Sequence, residues 1–216
     1  KQLSPSIYHE DNCAFTGSYL TTPDGVHHCF FTRWKENNPE GRESIGHATS
    51  TDMILWTKTP LHLIPDGVIY SCGLYRDFRD PCVFYDNKEN LYHMILLTNV
   101  VGRENGPKSW DEHWVQGHYL SKDLCHWIPQ KPFEGDFADE CPDYFFQQNR
   151  HYLHGCHHYG IAKDFHGPYM IQKYSELDLG ARAPKFCFDG HRRIWFAGFI
   201  GGPATLPRTL NVLPDG

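Results

Sequence analysis

Aromatic and β-branched residues recur in short runs along this 216-residue chain, and polar turn residues separate the runs. Four segments share one order: a polar or proline-containing start, an apolar run, a turn containing Asp, Gly, Asn or Lys, and a second apolar run. Paired apolar runs joined by such turns predict β-hairpins. The segments are GSYLTTPDGVHHCFF from Gly17, RDPCVFYDNKENLYHMILL from Arg79, CPDYFFQQNRHYLHG from Cys141 and RAPKFCFDGHRRIWFAG from Arg182.

A second pattern follows two of these hairpins and ends in tryptophan. GHATSTDMILW runs from Gly46 to Trp56, and GHYLSKDLCHW runs from Gly117 to Trp127. Both read Gly-His-x-x-Ser-x-Asp, which predicts a strand that leads into a tight polar turn. A degenerate third copy, YGIAKDFHGPY, begins at Tyr159. Each unit is therefore expected to contain three or four antiparallel strands.

Repeated antiparallel sheets of this size, arranged around an axis, form a β-propeller. The same strands leave a two-layer β-sandwich open as the alternative, but the repetition favours the propeller. No long helical periodicity is present, so the predicted class is all-β. Residues that begin the innermost strands of a propeller line a central funnel. We therefore expect Asp80, Glu140 and Asp143 to approach one another despite their separation in sequence.

Composition narrows the function classes. The chain has 40% hydrophobic and 21% charged residues, a balance typical of globular proteins. Its net charge is −6 with acidic and basic residues interspersed, which argues against a nucleic-acid partner. No apolar run has the length of a membrane span, so no membrane partner is expected. The compartment, secreted or cytoplasmic, and the oligomeric state stay open.

Cysteines and histidines are numerous but do not form the spacings of metal sites. The eight cysteines include no Cys-x-x-Cys pair, and the fifteen histidines include no His-Glu-x-x-His motif. We therefore expect no metal and no cofactor. Buried free thiols are the favoured interpretation of the cysteines, with one or two disulfides as the alternative in a secreted protein.

Two carboxylates fit the chemistry of glycosidic bond cleavage. One acidic side chain must protonate the leaving oxygen, and another must attack or stabilise the oxocarbenium-like centre. Asp80 in FRDP and Glu140 in ECPD are the candidates, because each lies at the start of a predicted hairpin. Either motif alone is weak, since Asp-Pro is a common turn dipeptide and most Glu side chains are solvated.

The succession FTGSY, FRDPCVF, ECPDYF, RAPKFCFDGHRRIWFAGF and TLPRTLNVLPDG resembles glycoside hydrolase family 32 over nearly the whole chain. That family contains β-fructosidases, which are five-bladed β-propellers, usually with a small β-sandwich behind. The resemblance implies that Glu140 is the general acid/base and Asp80 the transition-state stabiliser. It also implies that Arg79 anchors the fructosyl ring or holds Asp80 charged, and that Cys141 and Pro142 shape the surroundings of the acid.

The resemblance places further residues near the sugar. Phe15 and Ser18, in FTGS, match a segment of the second blade that lines the sugar pocket. Asp143 is interpreted either as a substrate ligand or as a cap at the start of its strand. Three loop tryptophans are expected either to stack on a leaving-group sugar or to pack between blades: Trp34, Trp110 and Trp114.

One feature of the family is missing. The resemblance implies a nucleophilic Asp in a Trp-x-Asn-Asp-Pro-Asn-Gly type motif upstream of Phe15, and the sequence has no such motif. We therefore expect residues 1–216 to be a partial, incomplete catalytic propeller, about blades two to four plus the start of the last, without the C-terminal β-sandwich. Asp11, near the start of the chain, is a candidate for a displaced nucleophile. Alone, such a piece is expected to have negligible activity, since covalent catalysis needs the attacking carboxylate.

The sequence thus predicts a retaining hydrolase of terminal β-fructofuranosyl units in sucrose or a fructan, whose partner is an oligosaccharide or disaccharide substrate. Two alternatives stay open. One is an inverting, arabinofuranosidase-like propeller glycosidase. The other is a propeller that binds carbohydrate without catalysis.

Overall fold

Short strands in chain order make up the regular structure of the protein, which is a computed structural model. The structure describes residues 13–36, 42–103, 113–173, 181–188, 190–191, 193–199 and 204–213. Within them lie fifteen β-strands and no α-helix, which confirms the all-β prediction. The chain divides into two compact units, residues 1–132 and 133–216.

The first unit contains two four-stranded antiparallel sheets. Each sheet keeps its strands in sequence order, β1-β2-β3-β4 and β5-β6-β7-β8, so every strand pairs with its chain neighbour. The strands are β1 (Cys13–Thr21), β2 (His27–Trp34), β3 (Glu43–Ser50), β4 (Thr57–Leu63), β5 (Phe78–Asp86), β6 (Leu91–Thr98), β7 (Val115–Ser121) and β8 (Ile128–Gln130).

The second unit repeats this arrangement with one four-stranded and one three-stranded sheet. Sequential four-stranded antiparallel sheets are the blades of β-propellers. The structure therefore confirms the predicted repeat of antiparallel sheets. The number of blades in a closed ring stays a prediction. The strands are β9 (Asp143–Gln147), β10 (Arg150–His154), β11 (Tyr159–Ala162), β12 (Met170–Ile171), β13 (Ala181–Phe188), β14 (Arg193–Phe199) and β15 (Arg208–Leu210).

The Ser-x-Asp turns have the same hydrogen bonds in both sheets of the first unit. The Ser50 and Ser121 hydroxyls each accept the backbone N–H groups two and three residues later. The Asp52 and Asp123 carboxylates each accept two further N–H groups, at 2.8–2.9 Å. The repeated sequence pattern therefore corresponds to a repeated local structure between the third and fourth strands of each sheet.

One apolar core joins the two sheets of the first unit. Phe30 and Ile45 from the first sheet pack with Phe78, Met94 and Tyr119 from the second, and all five side chains are essentially inaccessible to solvent. Burial of such side chains is the main favourable contribution to folding. The core thereby fixes the start of β5, where the predicted Arg-Asp-Pro motif lies, against the neighbouring sheet.

Candidate functional site

The Arg-Asp-Pro motif forms an irregularity at the start of β5. The ladder to β6 is interrupted between Arg79 and Cys82, since Pro81 has no N–H to contribute. Asp80 adopts a left-handed backbone conformation, with φ of 61°, and is 3% exposed. Its N–H donates to the Thr32 hydroxyl at 2.7 Å. A buried Asp in this sparsely populated conformation is a typical feature of functional sites.

Arg79 lies at the centre of a buried charged cluster. Its guanidinium contacts Glu43 at 3.2 Å, Asp77 at hydrogen-bonding distance and Asp80 at 3.8 Å. Burial alone would lower the pKa of Arg79, but the three carboxylates raise it above its usual range. Burial raises the pKa of Glu43, against the opposing charge of Arg79. The guanidinium therefore stays charged next to the Asp80 carboxyl.

Three polar contacts complete this cluster. Trp114 was predicted to stack on a sugar or to pack between blades, and the sequence did not identify the other residues, Asp77, Asn99 and Glu43. Trp114 donates its indole N–H to Asp77 at 2.7 Å, and its ring lies 5.6 Å from the Arg79 guanidinium. The Asp77 N–H donates to the Asn99 side chain at 2.7 Å. Glu43, from β3 of the neighbouring sheet, accepts the Phe78 N–H at 2.8 Å. Only Asp77 had a local signal, two residues before Arg79 in RDFRDP.

Phe15 and Ser18 have different surroundings, although both were predicted to line the sugar pocket. The Ser18 hydroxyl accepts the Val83 N–H at 2.8 Å and so links β1 to β5 of the next sheet. Phe15 is 46% exposed, and its ring centroid lies 6.1 Å from that of Trp34. Trp34 is the last residue of β2, so its interpretation as a loop residue was wrong. Trp110 and Asp11 lie outside the described residues.

Glu140 lies three residues before Asp143, the first residue of β9 in the second unit. The following Cys141 is buried and left-handed, with φ of 51°, and the next residue is proline. Ala183 has the same conformation, with φ of 52°, and again precedes a proline. The local equivalent of Asp80 is therefore Cys141, and Glu140 corresponds to Arg79. Asp80 and Glu140 were both predicted at the start of a hairpin, but Glu140 lies one residue before the position that is equivalent to Asp80.

Asp139 organises the backbone around Glu140, and sequence reasoning missed it. One carboxylate oxygen accepts the Glu140 N–H at 2.8 Å and contacts the His157 ring Nδ1 at 3.0 Å. The other accepts the N–H groups of His157 and His158, at 2.6 and 3.0 Å. Burial alone would lower the pKa of His157, but Asp139 outweighs burial and raises it. The buried carboxylate of Asp139 therefore holds this loop in place through several hydrogen bonds.

Two further contacts hold the loop after β10 against Glu140. The Cys156 N–H donates to the Glu140 carbonyl at 2.7 Å. At Gly155, a Cβ atom would lie only 2.2 Å from the Asp139 Cβ, so glycine is required for this close approach. The Glu140 side chain itself is half-buried.

Asp143 links the two sheets of the second unit. One of its carboxylate oxygens accepts the Tyr144 N–H at 3.0 Å, and the other accepts the Phe186 N–H of β13 at 2.8 Å. The Lys185 ammonium donates to the Pro142 carbonyl at 3.1 Å, beside this link. The position therefore resembles Ser18 in the first unit, whose side chain also accepts a backbone N–H of the next sheet.

An apolar cavity of the second unit lies apart from these carboxylates. It offers about 200 Å³ to water-sized molecules, and its lining includes Phe145, Tyr152, His154 and Phe186 but not Glu140. Burial lowers the pKa of His154 to about 4, against the opposing effects of Gly155 and the nearby carboxylates. The cavity is therefore an uncharged space between sheets, distinct from the predicted acid.

The predicted approach of Asp80 and Glu140 joins residues of two different units. Asp80 belongs to the first unit and Glu140 to the second, so their approach in one pocket stays a prediction.

Across the described ranges, no group of three or more His, Cys, Asp or Glu residues is arranged to hold a metal ion. The same ranges contain no helix with the length and hydropathy to span a membrane. All eight cysteines are free, although only Cys82 and Cys141 are buried.

No protein-family model matches the sequence, and no curated protein matches it. Solved structures do match. Sucrose-6-phosphate hydrolase from Lactobacillus gasseri has a TM-score of 0.73 at 16% identity, over 94% of this chain and 48% of that chain. The GH32 β-fructofuranosidase BmSUC1 of Bombyx mori has a TM-score of 0.70 at 19% identity, over 93% and 48%. Fructan 1-exohydrolase IIa from Cichorium intybus, in complex with 1-kestose, has 0.67 at 18% identity, over 94% and 45%.

These similarities concern the fold, because the identities are below 20%. The chain spans about half the length of each of the three structures. Its fold is therefore similar to that of part of these enzymes.

Proposed function

We propose that the protein is a retaining glycoside hydrolase that acts on terminal β-fructofuranosyl units of sucrose or a fructan. One observation carries the proposal: a buried, left-handed Asp80 beside a charged Arg79, on a fold similar to that of fructosidases. Fold similarity alone does not assign chemistry, so the proposal depends on the residues of the site.

In this proposal, Asp80 stays ionised and stabilises the positive charge that develops on the fructosyl ring. Arg79 is its counter-ion at 3.8 Å, and an adjacent cation favours the charged form of a carboxyl. The other Arg79 contacts, to Glu43 and Asp77, hold the guanidinium in place. The cluster therefore holds a positive charge in a fixed position beside the Asp80 carboxyl.

Glu140 is the proposed general acid/base. It protonates the leaving sugar oxygen and then deprotonates the water that releases the fructosyl group, as retaining enzymes require. Its backbone is fixed on both sides, since the N–H donates to Asp139 and the carbonyl accepts from Cys156. A fixed backbone limits the positions available to the carboxyl, which is the purpose of a preorganised acid.

The proposed sugar contacts divide into two kinds. Phe15, beside Trp34, presents an exposed aromatic face of the kind on which a sugar ring packs. Ser18, Cys141 and Asp143 act indirectly, since their side chains or backbone shape the starts of the strands. A retaining mechanism also needs an attacking carboxylate, which no described residue is assigned to supply.

The test uses the full-length protein with sucrose, 1-kestose, inulin, levan and an aryl α-arabinofuranoside. We expect fructose release, with the newly formed sugar first observed by NMR as the anomer whose configuration matches the substrate. Hydrolysis of the arabinofuranoside with inversion would replace this proposal with the arabinofuranosidase alternative. Saccharide binding without turnover of any substrate would replace it with a non-catalytic propeller.

A further inference from the structure

Two thiols, those of Cys141 and Cys156, lie next to Glu140. β9 and β10 are antiparallel neighbours, and Cys141 lies two residues before β9 while Cys156 lies two residues after β10, so both cysteines are at the same end of this strand pair. The Cys156 N–H donates to the Glu140 carbonyl at 2.7 Å, which holds the two segments together. The Cys141 thiol lies within hydrogen-bonding reach of the Cys156 sulfur. The two sulfurs are therefore placed for a reaction with each other.

The surroundings of Cys156 favour its thiolate. The thiol of Cys141 has the largest effect, burial opposes it, and the Ala183 N–H donates to the Cys156 sulfur at 3.3 Å. The adjacent His157, which Asp139 holds in place, adds positive charge. Together these groups lower the pKa of Cys156 to about 7. Near neutral pH a substantial fraction of Cys156 is thus the nucleophilic form.

Access differs between the two cysteines. Cys156 is half-buried, whereas Cys141 is only 8% exposed. A small oxidant in solvent therefore meets Cys156 first, and Cys141 lies behind it as the second thiol. Low-pKa, accessible cysteines next to a second cysteine are the usual arrangement of redox-sensitive sites.

We propose that Cys156 is a peroxide-reactive cysteine that forms a reversible disulfide with Cys141, next to Glu140. In the first step the Cys156 thiolate attacks one oxygen of hydrogen peroxide and breaks the O–O bond, which gives the sulfenic acid and hydroxide. In the second step the Cys141 sulfur attacks the Cys156 sulfur; the sulfenic OH leaves with the Cys141 proton as water. Two thiols are oxidised and one peroxide is reduced, and a dithiol reductant reverses the change.

The disulfide would act on the segment that carries the proposed acid. Cys141 follows Glu140 directly, and Cys156 already holds the Glu140 carbonyl, so a covalent bond between the sulfurs constrains Glu140 from both sides. The effect on turnover rests on the proposed function. The thiol chemistry does not, and it is tested without any sugar substrate.

The experiment treats the protein with hydrogen peroxide at pH 7 and maps disulfides by peptide mass spectrometry without reduction. We expect a peptide pair that joins Cys141 to Cys156, and its loss after treatment with dithiothreitol. Iodoacetamide labelling of the untreated protein is followed in parallel across pH 5 to 9. Labelling of Cys156 is expected to follow a pKa of about 7, and labelling of the exposed Cys125 in the same sample is the comparison, which needs no variant.

Three variants separate the roles. Cys141→Ser should leave a sulfenic acid on Cys156 that dimedone traps, Cys156→Ser should abolish the cross-link, and Cys125→Ser should leave it unchanged. Equal reactivity of Cys156 and Cys125 in the unmodified protein would overturn the inference, as would a cross-link that maps to other cysteines. Since neither readout involves turnover, a failure here is distinct from a failure of the proposed function.

Discussion

Asp80 and Cys141 have the same left-handed backbone conformation, with φ of 61° and 51°, and each directly precedes a proline near the start of the first strand of its sheet. Since the conformation is unfavourable for residues other than glycine, its recurrence indicates a shared structural device. The device places different side chains in different sheets. In the first unit this position holds the carboxylate of Asp80. In the second unit it holds the thiol of Cys141, and Glu140 is one residue earlier.

The hydroxyl of Thr32 is expected to stabilise this conformation, because it accepts the buried N–H of Asp80 at 2.7 Å. Thr32→Val keeps the shape of the side chain but leaves that N–H without its acceptor. We expect the free energy of unfolding to fall by about 1–3 kcal/mol, the usual cost of an unsatisfied buried donor. Urea unfolding measures the change, and Thr51→Val, at an exposed position, is the control. Equal stability of the two variants would contradict a structural role for this hydrogen bond.

Asp139 is expected to control the protonation of His157. In Asp139→Asn the negative charge is lost while the shape is retained, so the main group that opposes burial is removed and the pKa of His157 should fall. NMR titration of the histidine ring protons measures this shift. Asp164→Asn, at an exposed position of the same unit, should leave the titration unchanged. A pKa of His157 that does not move in Asp139→Asn would show that the ion pair does not determine it.

Acid is expected to destabilise the first unit through a pair of histidines. His28 and His47 lie 2.9 Å apart through their ring nitrogens, and burial lowers the pKa of His47 to about 4 and, more weakly, that of His28. Between about pH 6.5 and pH 4 the unfolded chain binds protons that the folded pair does not. The free energy of unfolding should therefore decrease as the pH falls through this window, by up to about 1.4 kcal/mol per pH unit for each group.

Urea unfolding followed by tryptophan fluorescence at pH 7 and pH 5 measures this dependence. His47→Gln should reduce the difference between the two pH values, since glutamine does not titrate. His62→Gln, at an exposed position of β4 in the same unit, should preserve it. An unchanged pH dependence in His47→Gln would exclude this pair as its source.

The sequence predicted the parts of the fold that depend on local pattern. Paired apolar runs and Ser-x-Asp turns identified the sheets, because strand alternation and turn hydrogen bonds involve residues close in sequence. The proline motifs likewise marked Asp80 and Glu140 as residues at strand starts.

The contacts across strands and sheets were not predictable in this way. Glu43 reaches Arg79 from a different sheet, and Asp139 gathers N–H groups from residues 157 and 158, with no recurring spacing to reveal either. Ser18 was predicted to line the sugar pocket and Asp143 to be either a substrate ligand or a strand cap, and both side chains accept a backbone N–H from the neighbouring sheet. A polar side chain at the start of a strand can bind a sugar or accept a backbone N–H, and the sequence alone does not distinguish these two roles.

The most direct test of the account is the turnover of Glu140→Gln in the full-length protein, measured with two substrates. With sucrose, whose leaving group needs protonation, we predict a loss in kcat of at least about a hundredfold, the lower range for general acid catalysis. With an aryl β-fructofuranoside, whose leaving group departs without a proton, the loss in the first step should be much smaller. Glu134→Gln, at an exposed position of the same unit, is the matched control. Sucrose turnover that is unchanged in Glu140→Gln would contradict the assignment of this residue as the acid.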